Sequence, residues 1–295
     1  MPTLVQSERL PFLICQHYQL PWILERSFKL EQGLGLLADR YVLGIPAEAI
    51  SSACLDAIVQ DLGMPADEPG LIKRLNNELS RASTVYLGYE GGLKDAGSLR
   101  LYFEYWDEVV SRLRATPISE VIAWEVTDRP TWEMGVGYKW RVDEIISKPN
   151  TSLYRSDYWV QPMLPRAEIL EQSGRILLRS GMAPDLQTML TDVMAMILSS
   201  TPDVEPVFLQ ARENDSPRYS IDLCVHRYNL RLTDLELKLG PILQRCMGSP
   251  LALSDCLQGR SSDAWITHFS AGRSRNGAVY IGLYYEPLDR SEPLA

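Results

Sequence analysis

Residues Leu24–Pro46 read LERSFKLEQGLGLLADRYVLGIP. Glu25, Ser27, Lys29 and Glu31 are alternate and polar, whereas Leu24, Phe28 and Leu30 are alternate and apolar. Alternate residues of a strand point the same way, so the stretch reads as a β-hairpin of two amphipathic strands. Its charged face must either meet water or look into a polar barrel.

Four further hairpins decide between these. The second, STVYLGYEGGLKDAGSLRLYFEYW (83–106), turns around Gly91, Gly92 and Gly97. The third, EVIAWEVTDRPTWEMGVGYKWRV (120–142), is expected to turn at Asp128-Arg129-Pro130. The fourth, EPVFLQARENDSPRYSIDLCVH (205–226), turns at Asn214 to Pro217, and the fifth, AWITHFSAGRSRNGAVYIGLYY (264–285), at Asn276-Gly277. Helical stretches intervene. PAEAISSACLDAIVQDLG places Ile50, Cys54, Ile58 and Leu62 at helical spacing. DEVVSRLRA is expected to be capped by Asp107, and RLTDLELKLGPILQRC by a Thr233/Glu236 capping box. A loop at 148–156 precedes the helical RAEILEQSGRILLRS and DLQTMLTDVMAMILSS. Strands that alternate rather than run continuously apolar exclude a parallel TIM barrel. About ten antiparallel strands with helices outside predict an α+β barrel wide enough to keep a lumen. The charged face of the first strand then lines that lumen.

Composition sets the remaining bounds. The chain has 295 residues, 45% of them hydrophobic, and is expected to form one domain over 1–295. No apolar run approaches the roughly 20 residues of a membrane span, and no signal peptide is legible at the N-terminus. Five scattered cysteines (Cys15, Cys54, Cys224, Cys246, Cys256) read as buried free thiols of a cytoplasmic protein. A net charge of −9 argues against nucleic acid as a partner and leaves room for a cationic substrate. There is no P-loop, dinucleotide fingerprint, G-x-S-x-G or D-D-x-x-D motif. His17, His226 and His268 lack metal spacing, so no protein metal ligands are expected.

LPWILERSFKLE…ADRYVL, LKDAGSLRLYFEYWDEV and AWITHFSAGRSRNGAVYIGLYYEP resemble three segments of the cyanobactin prenyltransferases. These are barrel enzymes of the αββα (ABBA) type that modify side chains of ribosomally made cyclic peptides. The likeness touches points from about Trp22 to Pro287, and it rests on the order and spacing of short motifs. It implies transfer of a dimethylallyl or geranyl group from a diphosphate to a linear or cyclic peptide, by a monomer or weak dimer. Mg²⁺ is implied as a cofactor, held mainly through the diphosphate.

The resemblance gives Glu25 the place of the catalytic glutamate. Diphosphate needs converging cations and hydroxyls, for which the candidates are Lys29, Arg40, Arg100, Tyr102, Lys139 and Arg141. An allyl cation needs aromatic faces, for which they are Tyr219, Tyr280 and Tyr284. Glu104, Glu125, Asp222 and Trp124 are assigned to the acceptor. Glu104 and Gly282 stand where the resemblance leads one to expect basic residues, and extra lumen carboxylates suit a cationic acceptor such as an arginine guanidine. Gly44 is expected to enlarge the prenyl pocket. A Tyr- or Trp-directed enzyme, one for small aromatics, and a non-catalytic barrel binding a hydrophobic ligand or peptide stay open as alternatives.

Overall fold

A computed structural model of the chain describes residues 7–33, 35–65, 69–91, 97–117, 119–120, 129–142, 153–200, 206–213, 216–226, 228–247 and 263–286. Among the described residues ten strands are formed: β1 (Ile23–Glu31), β2 (Gly35–Pro46), β3 (Thr84–Glu90), β4 (Ser98–Glu104), β5 (Trp132–Arg141), β6 (Tyr154–Val160), β7 (Val207–Arg212), β8 (Tyr219–Cys224), β9 (Trp265–Arg273) and β10 (Val279–Glu286). Each pairs antiparallel with its chain neighbours, and β10 closes back onto β1, from Arg26 opposite Tyr285 to Glu31 opposite Tyr280. Closure leaves no sheet edge for another chain to extend. The expected antiparallel barrel with outer helices is what the chain forms.

Seven α-helices surround it among the described residues: α1 (Leu10–His17), α2 (Ser52–Asp61), α3 (Leu71–Arg81), α4 (Trp106–Ala115), α5 (Arg166–Arg179), α6 (Pro184–Ser200) and α7 (Leu232–Met247). The outward apolar rows of the strands make two cores with them. Phe28, Leu30, Phe208, Leu223, Phe269 and Leu283 pack against α5, α6 and α7. Leu24, Leu43, Val85, Leu101 and Val136 pack against α1, α2 and α3. Strand β1 contributes to both, and truncating its fully buried Phe28 to Ala should cost about 3–5 kcal/mol. A third, smaller cluster joins Val109 of α4 to Trp132, Met134, Val160 and Leu209.

The third hairpin requires a correction. Strand β5 is flanked by β4 and β6, so its hairpin partner is 154–160; residues 121–128, expected to pair with it, lie outside the described residues. Strand β6 begins inside the stretch read as a loop. Its sequence, YRSDYWV, puts Tyr154, Ser156 and Tyr158 on one face and Arg155, Asp157 and Trp159 on the other. Neither face is apolar, so no period-two hydrophobic signal marks it. Arg129, expected in a turn, donates to the carbonyls of Pro162 (3.1 Å) and Met163 (2.9 Å). Two caps also differ. Helix α4 starts at Trp106, so Asp107 sits within its first turn, where it still favours the helix dipole. Asp234 accepts from the Arg231 N–H at 2.7 Å, so α7 is capped two residues ahead of the Thr233/Glu236 pair. Helices α1 and α3 lie in stretches to which the sequence reading assigned no helix.

Candidate functional site

The floor of the lumen is built by a β-bulge. Tyr284 pairs with His268 and Tyr285 with Ile266, which leaves Thr267 as an extra residue in β9. A bulge re-aims side chains, and here two consecutive ones reach the same carboxylate. Thr267 donates its hydroxyl to Glu25 Oε1, and His268 Nε2 lies 3.8 Å from that oxygen. The other ring nitrogen, Nδ1, is 2.7 Å from Asp222 Oδ1. On the opposite wall Glu104 accepts from the Tyr86 hydroxyl at 3.2 Å.

Burial pushes the carboxyls of Glu25 and Glu104 above their ordinary range, although the charge of His268 pulls both back. Burial would discharge His268, but Cys224, Asp222 and Glu25 outweigh it and hold the imidazole well above its ordinary value. The Cys224 thiol, raised by burial, is brought down to about 7 by His268 and by His226, whose Nδ1 is 2.9 Å away. A carboxylate of raised basicity beside an imidazolium can take up and pass a proton.

Above the floor lies a waist of tyrosines. Tyr86, Tyr102, Tyr158 and Tyr284 line a cavity of about 730 Å³, counting the solvent at its opening. Tyr102 and Tyr158 meet edge to face with centroids 5.8 Å apart, and Tyr284 meets His268 likewise at 5.8 Å. Lumen glycines let these rings lie flat on the wall. The Tyr102 ring occupies the space beside Gly137, and a Cβ on Gly44 would meet Tyr86 Cε1 at 3.0 Å. Gly44 therefore does not enlarge the pocket as expected; the neighbouring strand's tyrosine fills it.

At the mouth the polarity reverses. Arg40 donates through Nε to Glu90 (2.7 Å) and through Nη2 to the Tyr284 hydroxyl (3.3 Å). Arg100 donates to Glu90 and to the Tyr102 hydroxyl (3.1 Å), and Lys139 to Glu90 (2.5 Å). Lys29 pairs with Glu31 at 2.8 Å and lies 4.5 Å over the Tyr280 ring. Arg218 and Arg275 share Glu213, at 2.6 and 2.5 Å. Six cations thus meet three carboxylates. Burial brings the Lys29 ammonium down to about 8, with Arg40 and Arg218 lowering it further against the pull of Glu31. Burial and the charges of Arg100, Lys29, Arg275 and Arg40 hold Lys139 well below its usual range. Arg40 Nη1 and Arg100 Nε are buried without a partner.

The structure brings most of the expected residues together: Glu25, Glu104 and Asp222 at the floor, Tyr102 and Tyr284 at the waist, and Lys29, Arg40, Arg100 and Lys139 at the mouth, with Tyr280 against Lys29. Arg141 lies opposite Ser98, on the strand face of Lys139 and one step beyond it. Tyr219 is a correction: it lies on the outer wall, its hydroxyl 3.2 Å from Gln210 Oε1, beside Arg175 and Arg179 of α5. Its neighbour Ser220 pairs with Gly272 across from Tyr280, so period two turns Tyr219 outward. Trp124 and Glu125 lie outside the described residues. The sequence reading missed Glu90, Tyr86, Tyr158, Thr267, His268, Arg218, Glu213 and Arg275 as site residues. Alternation along TVYLGYE would have found Tyr86 and Glu90, whereas Arg218 and Arg275 sit in connections without periodicity.

Glu31, Glu90 and Glu213 are each engaged by Lys or Arg. Among the described residues no three His, Cys, Asp or Glu side chains converge to hold a metal. The residues at the mouth do not fit a protein-held Mg²⁺, because each carboxylate there is already engaged by Lys or Arg.

No protein-family model matches the chain, and no curated protein matches it by sequence. Solved structures do. A 5-dimethylallyltryptophan synthase from Streptomyces coelicolor superposes with a TM-score of 0.54 at 10% identity, covering 92% of this chain and 82% of that one. The NotF prenyltransferase in complex with brevianamide F and DMSPP gives 0.52 at 10% identity, covering 90% and 80%. The chain shares the barrel fold of these two structures. No helix among the described residues is long and apolar enough to cross a membrane.

Proposed function

We propose that the protein is a prenyltransferase whose lumen holds an allylic diphosphate and an acceptor end to end. The observation that carries this reading is the order of chemistries along one lumen: cations, tyrosines, carboxylates. Diphosphate oxygens bind Lys29, Arg40, Arg100 and Lys139, and the free donors of Arg40 and Arg100 point to an anion larger than Glu90. The allyl carbon–oxygen bond breaks, and its electron pair leaves with pyrophosphate. Tyr102, Tyr280 and Tyr284 shield the cation from water. The acceptor's nucleophile bonds to the allyl carbon, and its proton passes to Glu25, whose raised basicity fits that task.

The acceptor we infer is a side chain of a cyanobactin-type peptide, the guanidine of arginine above all. Glu25, Glu104 and Asp222 support it, since three carboxylates gathered around one imidazolium leave negative charge for a cationic group. An aromatic acceptor is the second reading, favoured by the likeness to structures described as handling tryptophan or brevianamide F. Incubating the protein with dimethylallyl or geranyl diphosphate and cyclic peptides containing Arg, Tyr, Trp or His separates these by mass spectrometry. A prenyl mass increase on Arg peptides is expected. Modification of Tyr or Trp peptides alone selects the aromatic reading, and no product from any peptide, phenol or indole leaves a non-catalytic barrel.

A further inference from the structure

Glu90 ends β3 with 6% of its surface exposed. Its carboxylate serves cations from three strands: Arg40 of β2, Arg100 of β4 and Lys139 of β5. One carboxylate cannot balance three cations, two of which, Arg40 and Arg100, are buried, and uncompensated buried charge is costly. The guanidinium donors left over, Arg40 Nη1 and Arg100 Nε, are buried without a partner. Glu90 thus holds in place donors that a diphosphate would need, with fewer oxygens than a diphosphate offers.

We propose that Glu90 is an internal competitor for diphosphate. It keeps Arg40, Arg100 and Lys139 assembled in the empty barrel, yields them to the entering donor, and takes them back as pyrophosphate departs. It is a positioning residue, and its effect on affinity is negative: without it, the same cations bind diphosphate more tightly and release it more slowly. This rests on the reading of the mouth as a diphosphate site.

A merely structural Glu90 predicts the opposite sign, because removing a scaffold loosens the cations and weakens binding. Calorimetric titration of the full chain with inorganic pyrophosphate decides between them. Glu90→Gln should tighten binding about tenfold, equivalent to about 1.4 kcal/mol, and strengthen pyrophosphate product inhibition to match. Glu90→Asp, with the charge kept but drawn back by one methylene, should tighten it less and in the same direction. It decides the matter if Glu90→Gln does not fold. Folded variants that bind pyrophosphate no more tightly than the wild type overturn this inference alone. Folded wild-type protein that binds no pyrophosphate overturns the diphosphate reading beneath it.

Discussion

At the mouth of the barrel Glu90 is met by Arg40, Arg100 and Lys139, whereas at the floor Glu25 is met by a hydroxyl and by an imidazole already engaged with Asp222. Both carboxylates are deeply placed on the same ring of strands. Burial pushes the pKa of the floor carboxylate up, against the pull of His268 and Thr267. The mouth carboxylate is outnumbered by cations. The difference teaches that position along a strand, and not residue type, decides whether a carboxylate is ringed by cations or meets a hydroxyl and an imidazole.

The largest expected effect breaks the floor. Glu25→Gln removes the proposed base and should lower kcat by about 10²–10⁴-fold, the usual range for a general base, while pyrophosphate affinity stays within about twofold. An unchanged rate would sink the role of Glu25. Next, Arg100→Met at the mouth should weaken pyrophosphate binding by about 10–100-fold, since charge-assisted hydrogen bonds are worth about 1.5–3 kcal/mol. Turnover at saturating donor should change less. If kcat falls as far as affinity, the two ends are not separable.

A pH profile sharpens the comparison. Lys29 titrates near 8, protonated below and neutral above, so the donor KM should rise several-fold as pH climbs through 8. Lys29→Met should flatten that limb, and a limb that persists assigns it to another group.

Glu213 makes a statement about stability. Burial raises its carboxyl, but Arg275 and Arg218 outweigh burial and bring it down to about 2. A carboxyl lower in the folded than in the unfolded chain adds stability above the unfolded value, near 4.5, and loses it as pH falls toward 2. About 2–3 kcal/mol should disappear across that window in denaturant titrations, and Glu213→Gln should lack the step. The smallest effect is expected outside the lumen. Tyr219→Phe should leave kcat and donor KM within about twofold; a larger loss would return Tyr219 to the site.

How much was legible follows from these residues. Strand alternation showed Glu25, Lys29, Tyr280 and Tyr284 on common faces, because period two survives wherever one face is apolar. It failed at β6, polar on both faces, and at Tyr219, where a one-residue choice of register decides inside from outside. It could not see Thr267 and His268 acting together, since a bulge in β9 and not a sequence pattern brings both to Glu25.

By itself the sequence determined that the chain makes serial hairpins with one charged and one apolar face, and that cations, tyrosines and carboxylates recur on the charged ones. The order of those groups along the lumen was decided only by closure of β1 onto β10. Closure brings residues 242 positions apart in the chain, Glu25 and Thr267, into hydrogen-bond contact. Which carboxylate stays basic and which is outnumbered by cations depends on burial and on neighbours from other strands. Those are properties of the closed barrel that no single strand contains.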